Sequence, residues 1–354
     1  MHTNSMTWLS ESTADQGIPL NGMFELTERC NLHCRFCYVA NRSQTQTNHL
    51  ERTADEWLGM IRQAADAGML ICTFTGGEPF VREDFDEIYC KAYDMGLRIA
   101  IFTNAVLIGE KQRAFLRKRP PGLVSISLYG ASGESYRELC GDAEDFHLAM
   151  ESIQSLRADG IHMEIKALPL KPLMHEYRSL GQLAVMYHCP VKLDCYLGSC
   201  RNDPCVDIRQ MRIPSDQIND ALDAFDQGAQ IPKPIKPQRE ANHADPCNNI
   251  PAIPCHAGKN LFCIAHDGRM YGCPTLTCFE SSPFMTGFAA AWNELREQMG
   301  KASGCEECNH CPHFFHCPAC PSIRAGETGS ISKCNEYLRS LAFSLSVRSI
   351  DTCG

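Results

Sequence analysis

The sequence predicts an α/β protein, a partial (β/α)6 barrel followed by a smaller cysteine-rich module. Strand-like and helix-like segments alternate from Gly22 to about Phe225, as they do in a chain of βα units. Ten of the 22 cysteines then fall between Cys255 and Cys334. A chain of 354 residues, 44% of them apolar, is long enough for one substantial core plus such a module.

Six strands and five helices make up the predicted barrel. Strand-like segments cover residues 23–27, 70–75, 97–103, 123–128, 162–167 and 190–196. Amphipathic helical patterns lie between them, near residues 53–67, 83–93, 110–116, 146–158 and 174–187. Because the active sites of such barrels form at the C-terminal ends of the strands, we expect the chemistry there.

Proline content suggests the domain boundaries. Residues 1–225 form the predicted barrel domain. Residues 226–254 contain six prolines and little periodicity, which predicts a linker or an irregular bridging segment. Residues 255–354 form the cysteine-rich module, and a helix near residues 335–347 closes it.

The charge of the chain argues against nucleic acid as a partner. The formal net charge is -9, with 33 basic and 42 acidic residues, which leaves no surplus of cations to neutralise a phosphate backbone. No apolar run of about 18 residues is present, and residues 1–16 lack the apolar core of a secretory signal. The sequence therefore predicts a cytoplasmic protein without a membrane partner.

The 22 cysteines have two possible explanations, disulfides or metal thiolates. A cytoplasmic protein lies in reducing surroundings, which disfavour a disulfide framework. Metal ligation is therefore the preferred interpretation.

Three cysteines follow the first predicted strand closely. Cys30, Cys34 and Cys37 have the spacing C-x3-C-x2-C, and no fourth cysteine follows at a short distance. Three thiolates can hold three irons of a cubane and leave one iron open. An open iron can bind the amino and carboxylate groups of S-adenosylmethionine, and an electron passed through the cluster can cleave its sulfonium to an adenosyl radical. A zinc knuckle with a distant fourth ligand is the alternative.

The motif resembles the signature of the radical S-adenosylmethionine (radical SAM) superfamily, in which an aromatic residue, here Phe36, precedes the last cysteine. That superfamily places a second signature after the second strand, a loop whose backbone meets the methionine amino group. This chain has Gly76, Gly77, Glu78 and Pro79 there. Glycines let the backbone approach a ligand closely, and a proline stiffens the exit from the loop. An ordinary turn would explain this loop alone, but the two signatures together are specific.

The resemblance implies further cofactor contacts at the ends of the later strands. Ser127 at the end of the fourth strand would hydrogen-bond the ribose or methionine part of the cofactor, and Asn104 and Lys166 are weaker candidates. A serine that caps the next helix and a solvated lysine at a strand edge are the alternatives.

The C-terminal module resembles the SPASM domain, which carries auxiliary iron-sulfur clusters in radical enzymes that act on peptides and proteins. Cys255 begins that pattern, and Gly268 and Cys273 supply its G-x4-C element. The family then shows C-x2-C-x5-C-x3-C and a later cysteine. The corresponding residues are Cys308, Cys311, Cys317, Cys320 and Cys334. Cys317 and Cys320 are one residue closer than in the family, which places the ligand geometry of Cys320 in question.

Seven thiolates cannot complete two four-ligand clusters, so either one iron stays open or an eighth ligand, predicted to be Cys263, joins them. A predicted hairpin around Asp267 and Gly268 brings Cys263 beside Cys273. By resemblance, the near cluster would use Cys255, Cys263, Cys273 and Cys320, and the outer cluster Cys308, Cys311, Cys317 and Cys334. The implied cofactors are then S-adenosylmethionine and three 4Fe-4S clusters, one radical and two auxiliary. A pair of zinc ribbons is the alternative.

Eleven cysteines have no predicted ligand role. Cys195, Cys200 and Cys205 follow the sixth strand, at the predicted barrel mouth, and Cys140 follows the fourth. A thiol at the mouth can donate a hydrogen atom to a substrate radical, so these four are candidate catalytic residues. Free cysteines are more often small buried hydrophobic residues.

The resemblance covers nearly the whole chain and favours a peptide maturase that crosslinks a ribosomally made peptide through a thioether or carbon-carbon bond. A sulfatase-type formylglycine maturase, a peptide epimerase and a zinc-stabilised binding module are the alternatives. The expected partners are a peptide or protein substrate and a low-potential flavodoxin or ferredoxin. About twenty residues precede the first strand, too few for a leader-binding domain, so a separate leader-binding protein or the module itself would recognise the leader.

Overall fold

The computed structural model describes residues 5–39, 51–198, 201, 208–231, 251–318 and 320–348. In these residues it has the α/β architecture that the sequence predicts. The strands are β1 (Asn21–Glu25), β2 (Ile71–Thr75), β3 (Arg98–Thr103), β4 (Leu123–Ser127), β5 (Met163–Ala167), β6 (Val191–Leu193), β7 (Leu261–Ile264) and β8 (Met270–Tyr271). All six predicted barrel strands are present, each within a few residues of its predicted bounds.

The strands form one sheet in the order β6-β5-β4-β3-β2-β1-β7-β8. Strands β1 to β6 are parallel and lie in sequence order, which is the arrangement of successive right-handed βα units. Strand β7 is parallel to β1, and β8 returns antiparallel to β7. The predicted hairpin of β7 and β8 is confirmed, but its attachment to the barrel sheet was not predicted.

Helices cover one face of this sheet and build the C-terminal module. The helices of the barrel region are α1 (Ser5–Gln16), α2 (Ala54–Asp66), α3 (Phe85–Asp94), α4 (Glu110–Lys118), α5 (Gly133–Leu139), α6 (Ala143–Ala158), α7 (Tyr177–Tyr187) and α8 (Ile218–Ala229). Those of the module are α9 (Pro283–Thr286), α10 (Phe288–Gly300), α11 (Glu306–Asn309), α12 (Pro321–Thr328) and α13 (Glu336–Arg348). Short 3-10 helices cover Pro79–Val81, Lys171–Leu173, Ile208–Met211, Ser215–Gln217 and Phe314–His316.

The five predicted barrel helices and the closing helix are present, whereas α1, α5 and α8 and the inner helices of the module were not predicted. Helix α8 extends to residue 229, past the boundary predicted at residue 225. The rest of the predicted linker falls partly on residues 232–250, which lie outside the described residues.

Successive side chains of each strand point to opposite sides of the sheet, and the two faces of the sheet differ in polarity. Phe24 of β1 points to the helices, where its ring lies 6.2 Å from that of Trp57 on α2. Its neighbour Glu25 points the other way and is also completely buried. Thr53 caps the N-terminus of helix α2, where its side chain and that of Glu56 form a capping box. The apolar face therefore forms the core, and the inner face carries polar groups.

Strand β7 joins the module to the barrel by pairing with β1 and by packing its side chains against both parts. Phe262 packs 5.8 Å from Phe24 of β1, 4.9 Å from Phe288 and 6.0 Å from Trp292 of α10. The strand covers the edge of β1, which would otherwise present unpaired backbone groups. The first strand of the predicted module is thus part of the barrel sheet.

A buried ion pair makes a second connection between the barrel and the module. Arg212 pairs with Glu327 of α12, and their side chains are 6% and 7% exposed. Tyr196 also donates its hydroxyl hydrogen to Glu327, and Asn335 donates to the same carboxylate at 3.0 Å. The Arg212 guanidinium lies 5.0 Å from the centre of the Tyr337 ring. Charge, hydrogen bonds and an aromatic face therefore all hold α12 against the barrel.

We expect Glu327→Ala to lower the free energy of unfolding by about 3–5 kcal/mol, because it leaves the buried Arg212 guanidinium without its counter-charge. Urea unfolding of the reconstituted protein, followed by tryptophan fluorescence, measures the loss. Glu297→Ala is the control, because Glu297 pairs with Lys301 at a site where both side chains are at least 70% exposed, and it should leave the transition unchanged. Equal transitions for the two variants would show that the buried pair does not hold the module.

Candidate active site

The three cysteines of the C-x3-C-x2-C motif lie together in the loop after β1. The sulfur of Cys30 interacts electrostatically with those of Cys34 and Cys37, and burial raises the pKa of Cys30 to about 12. Two N–H donors point at the Cys30 sulfur, the backbone of Leu32 at 3.4 Å and the side chain of Asn104 at 3.6 Å. Donors of this kind stabilise metal-bound thiolates and tune a cluster. The residues present thus fit a three-thiolate iron-sulfur cluster.

The Gly-Gly-Glu-Pro loop packs directly on the cysteine loop. Gly77 donates its N–H to the carbonyl of Thr27 at 2.8 Å, and Glu78 donates to that of Arg29 at 2.9 Å. Gly76 has φ +135°, and a Cβ there would lie 2.3 Å from the Thr27 oxygen. A Cβ on Gly77 would lie 2.3 Å from the Arg29 oxygen. Both positions therefore need glycine for this backbone approach, whatever they contribute to binding a cofactor.

Glu78 ties this loop to the end of β3. Its completely buried carboxylate accepts hydrogen bonds from the Thr103 hydroxyl at 2.9 Å and from the backbone N–H of Asn104 at 2.7 Å. The N–H of Phe80 donates to it at 3.1 Å, at the start of the 3-10 helix that begins with Pro79. Burial raises the pKa of Glu78 to about 7. All the hydrogen bonds that the structure gives this side chain are therefore internal.

Helix α5 supports the other side of the cysteine loop. The thiol of Cys140 lies beside that of Cys34, and this neighbour together with burial raises the pKa of Cys34 well above its ordinary value. His33 donates its backbone N–H to the Cys140 carbonyl at 2.6 Å. The ring of Phe36 lies 5.1 Å from that of Tyr129. The structure therefore places Cys140 beside the cysteine loop.

Ser127 and Lys166 lie opposite each other on the inner face of the sheet, at the ends of β4 and β5. The Lys166 ammonium lies 4.2 Å above the ring of Phe102 and 3.5 Å from the carboxylate of Glu164. Within the described part of the chain, Ser127 has no hydrogen-bond partner for its side chain. Both residues are thus on the face that the barrel turns to its interior.

A cavity of about 830 Å³ lies at the C-terminal ends of the strands, under the module. Phe36 of the cysteine loop, Asp194 and Cys195 after β6, and Cys320 of the module are among its lining residues. Burial raises the pKa of Cys195 to about 11, so that it is a thiol at neutral pH. The other two candidate donors, Cys200 and Cys205, lie outside the described residues.

Three charged residues of this region were not predicted from the sequence, namely Glu25, Arg201 and Asp194. The guanidinium of Arg201 lies 2.7 Å from the carboxylate of Glu25 and donates to the carbonyl of Pro274 at 2.8 Å. Burial raises the pKa of Asp194, and Lys166 partly opposes that shift. Glu25 could have been noticed in the sequence, because it is a charged residue within the otherwise uncharged strand β1. Side chains alternate between the two faces of a strand, and this alternation places Glu25 on the inner face.

Among the cysteines predicted for the near cluster, Cys320 lines the cavity. The sulfur of Cys263, on β7, interacts electrostatically with that of Cys273, which interacts with that of Cys320. The side chains of Thr275 and Ser322 connect Cys273 to Cys320. The Cys273 sulfur lies 3.5 Å from the Thr275 hydroxyl, the two hydroxyls lie 3.0 Å apart, and the Ser322 hydroxyl lies 2.9 Å from the Cys320 sulfur. Cys255, the fourth predicted ligand, is exposed.

The cysteines predicted for the outer cluster are only partly grouped. The sulfur of Cys308 interacts electrostatically with that of Cys334 and with that of Cys305, which was not predicted as a ligand. Cys311 donates its backbone N–H to the Cys308 carbonyl at 3.3 Å. The sulfur of Cys317 interacts with that of Cys195 on the cavity side.

The described residues contain no group of three or more His, Cys, Asp or Glu side chains close enough to hold a single metal ion. No described helix combines the length and the apolar character needed to cross a membrane.

Known proteins share parts of this sequence. Residues 24–170 match the model of the Radical SAM superfamily. The PqqA peptide cyclase of Bradyrhizobium diazoefficiens is 29% identical over 175 residues, which are 49% of this chain and 46% of that protein. The AdoMet-dependent heme synthase of Methanosarcina barkeri is 31% identical over 170 residues, 47% of this chain and 48% of that protein. The chain thus spans about half the length of these curated relatives.

A solved structure matches over nearly the whole chain. Streptococcus suis SuiB bound to its precursor peptide SuiA has a TM-score of 0.65 at 16% identity, covering 96% of this chain and 82% of that chain. At this identity the likeness concerns the fold. It extends over the barrel and the module together.

Proposed function

We propose that this chain, whose residues 24–170 match the model of the radical SAM superfamily, is a radical SAM enzyme that crosslinks a ribosomally made peptide. The observation that carries the proposal is the position of the cavity. Its lining includes Phe36 of the cysteine loop and Cys320 of the cysteine-rich module. A substrate bound there would lie beside both the proposed radical site and the proposed near cluster.

Identity to relatives does not by itself select a peptide substrate, because a peptide cyclase and a heme synthase match at similar identity. The choice of a peptide depends on the module. The likeness to the peptide-bound SuiB structure covers 96% of the chain, which includes the module as well as the barrel. The cavity of about 830 Å³ is large enough for a few side chains of a peptide.

The radical site would be held by Cys30, Cys34 and Cys37. When bound there, a 4Fe-4S cluster with S-adenosylmethionine supplies an adenosyl radical that abstracts a hydrogen atom from the substrate. The N–H groups of Leu32 and Asn104 stabilise the thiolate of Cys30. Among the further cofactor candidates, Phe36 lies in the cavity wall, and Gly76 and Gly77 fix the loop. Ser127 and Lys166 stay candidates for the ribose or methionine groups.

The module would hold two auxiliary clusters and receive an electron from the substrate radical. Formation of a crosslink removes two hydrogen atoms from the peptide, one to the adenosyl radical and one as a proton and an electron. Cys320 in the cavity wall and Cys273 beside it belong to the predicted near cluster. The electron therefore has a short route out of the cavity.

Cys263 tests the composition of the near cluster, because the seven-cysteine family pattern does not require it. We expect Cys263→Ala to alter the electron paramagnetic resonance spectrum of this cluster, since one iron loses its thiolate, while slow uncoupled cleavage of S-adenosylmethionine continues. Cys72→Ala is the matched control, because Cys72 is an equally buried cysteine of the same sheet. An unchanged spectrum would leave one iron of the near cluster open and favour direct coordination of a substrate thiolate.

Epimerisation is the second candidate function, and Cys195 is the observation that favours it. Its thiol lines the cavity, and its raised pKa keeps it protonated. A protonated thiol is the form that donates a hydrogen atom. Cys140 is a less direct candidate, because its thiol lies beside that of Cys34 in the cysteine loop.

The partners belong to the same proposal. A low-potential flavodoxin or ferredoxin would supply the electron that cleaves S-adenosylmethionine, and a separate protein would present the leader of the substrate. The reducing cytoplasm is the proposed location, since it keeps so many thiolates available as ligands. Anaerobic incubation with S-adenosylmethionine, a reductant and candidate precursor peptides tests the function, with modified peptide as the readout.

A further inference from the structure

A buried ion pair connects the inner face of β1 with the backbone beside Cys273. Glu25 is completely buried, and both of its carboxylate oxygens accept hydrogen bonds from the Arg201 guanidinium, at 3.0 Å and 2.7 Å. The same guanidinium donates to the carbonyl of Pro274, the residue after Cys273, at 2.8 Å. Arg201 also lines the cavity. One arginine therefore contacts both the barrel and the segment that carries a predicted ligand of the near cluster.

The backbone of Arg201 is attached to the cysteine loop. Its N–H donates to the carbonyl of Tyr38 at 2.8 Å, and Tyr38 directly follows Cys37 in the sequence. The guanidinium lies 5.9 Å from the centre of the Tyr38 ring. Arg201 is thus held between the residue after the last cysteine of the C-x3-C-x2-C motif and the residue after Cys273.

The strand register places Cys263 on the same face of the sheet as Glu25. Phe262 of β7 packs against Phe24 of β1 on the helix side of the sheet. Its neighbour Cys263 therefore faces inwards, as Glu25 does. Cys263 lies opposite Met23, two residues before Glu25 on β1, and such diagonal neighbours on adjacent strands are roughly 8 Å apart. Because both side chains are completely buried, solvent screens charges at this position only weakly.

We propose that the pair of Glu25 and Arg201 sets the reduction potential of the near cluster, which Cys263 and Cys273 would help to hold. A cluster accepts an electron more easily beside a positive charge and less easily beside a negative one, because net charge is one of the factors that fix its potential. The two paired charges offset each other and keep the surroundings of the cluster close to neutral. This inference depends on the proposed function, in which the near cluster receives an electron from the substrate radical.

The test removes one charge of the pair and then both. Glu25→Gln leaves Arg201, which keeps its proton, so we expect the reduction potential of the near cluster to shift to a higher value. The double variant with Glu25→Gln and Arg201→Gln should return the potential to about that of the wild type. Glu25→Asp, which keeps the negative charge, should leave it unchanged. Redox titration of the anaerobically reconstituted holoenzyme, followed by electron paramagnetic resonance, measures these potentials without enzymatic turnover.

Two further variants make the measurement specific. The signal of the near cluster is the one that Cys273→Ala alters. Arg269→Gln is the matched control, because Arg269 lies in the turn between β7 and β8, where its side chain is 50% exposed and pairs with Asp267. Solvent screens the loss of this exposed charge, so the potential should stay that of the wild type.

An unchanged potential in folded Glu25→Gln would overturn the proposal, as would a shift that the double variant retains. If Glu25→Gln cannot assemble the near cluster, the double variant decides, because it contains no uncompensated buried charge. Reassembly of the cluster in the double variant supports the role of the charges, whereas continued loss would leave the pair a role in packing alone. A wild-type protein in which Cys273→Ala alters no signal would instead refute the near cluster of the proposed function.

Discussion

Changing Cys30, Cys34 and Cys37 together to Ala should abolish the reductive cleavage of S-adenosylmethionine and reduce the iron content from about twelve to about eight atoms per chain. These three thiols are the only ones in the described loop after β1, and N–H donors already point at one of them. Without them no iron is left to bind the cofactor, whereas the cysteines of the module are unaffected. Release of 5′-deoxyadenosine under dithionite and iron analysis after anaerobic reconstitution measure the two effects.

A second triple variant controls for the number of cysteines removed. Cys90, Cys189 and Cys278 belong to no predicted ligand set, so their replacement by Ala should leave iron and cleavage unchanged. Continued cleavage in the first triple variant would mean that the radical site lies elsewhere. A colourless wild-type protein loaded with zinc would contradict the whole assignment, since zinc does not transfer electrons.

The proposed radical site could be located from the sequence because its signals are local. Cys30, Cys34 and Cys37 lie within eight residues, and the glycines that pack on them follow the next strand. Strand alternation also predicted the barrel, since each βα unit buries its own apolar face against its neighbours. Residues that are close together in a short sequence motif therefore stay close together in the folded chain.

The remaining features depend on contacts between distant segments. Strand β7 pairs with β1 across more than 200 residues of sequence, and an apolar run of four residues does not indicate which edge it will cover. The pair of Glu25 and Arg201 and that of Arg212 and Glu327 likewise join a barrel residue to a distant loop or helix. The contact of the Arg324 guanidinium with the sulfur of Cys308 likewise forms only when α11 and α12 pack together.

The mass of the peptide product separates the two candidate functions. A crosslinking enzyme should give a peptide that has lost two hydrogen atoms, with no solvent deuterium fixed at carbon, because the second electron leaves through the module. An epimerase should give a peptide of unchanged mass in ordinary water, with one deuterium atom when the reaction runs in deuterium oxide. That atom would come from a thiol whose hydrogen exchanges with solvent, and Cys195 is the described thiol in the cavity wall.

We expect the loss of two hydrogen atoms, because Cys320 brings the predicted near cluster to the cavity and gives the electron of the substrate radical an exit. Cys195→Ala provides the matched comparison. For a crosslinking enzyme this variant should form the same product, since no hydrogen atom has to return to the peptide, whereas an epimerase would lose its product. High-resolution mass spectrometry of the peptide, in ordinary water and in deuterium oxide, reads both outcomes. A product of parent mass that carries deuterium, and that disappears in Cys195→Ala, would replace crosslinking by epimerisation and make Cys195 a catalytic residue.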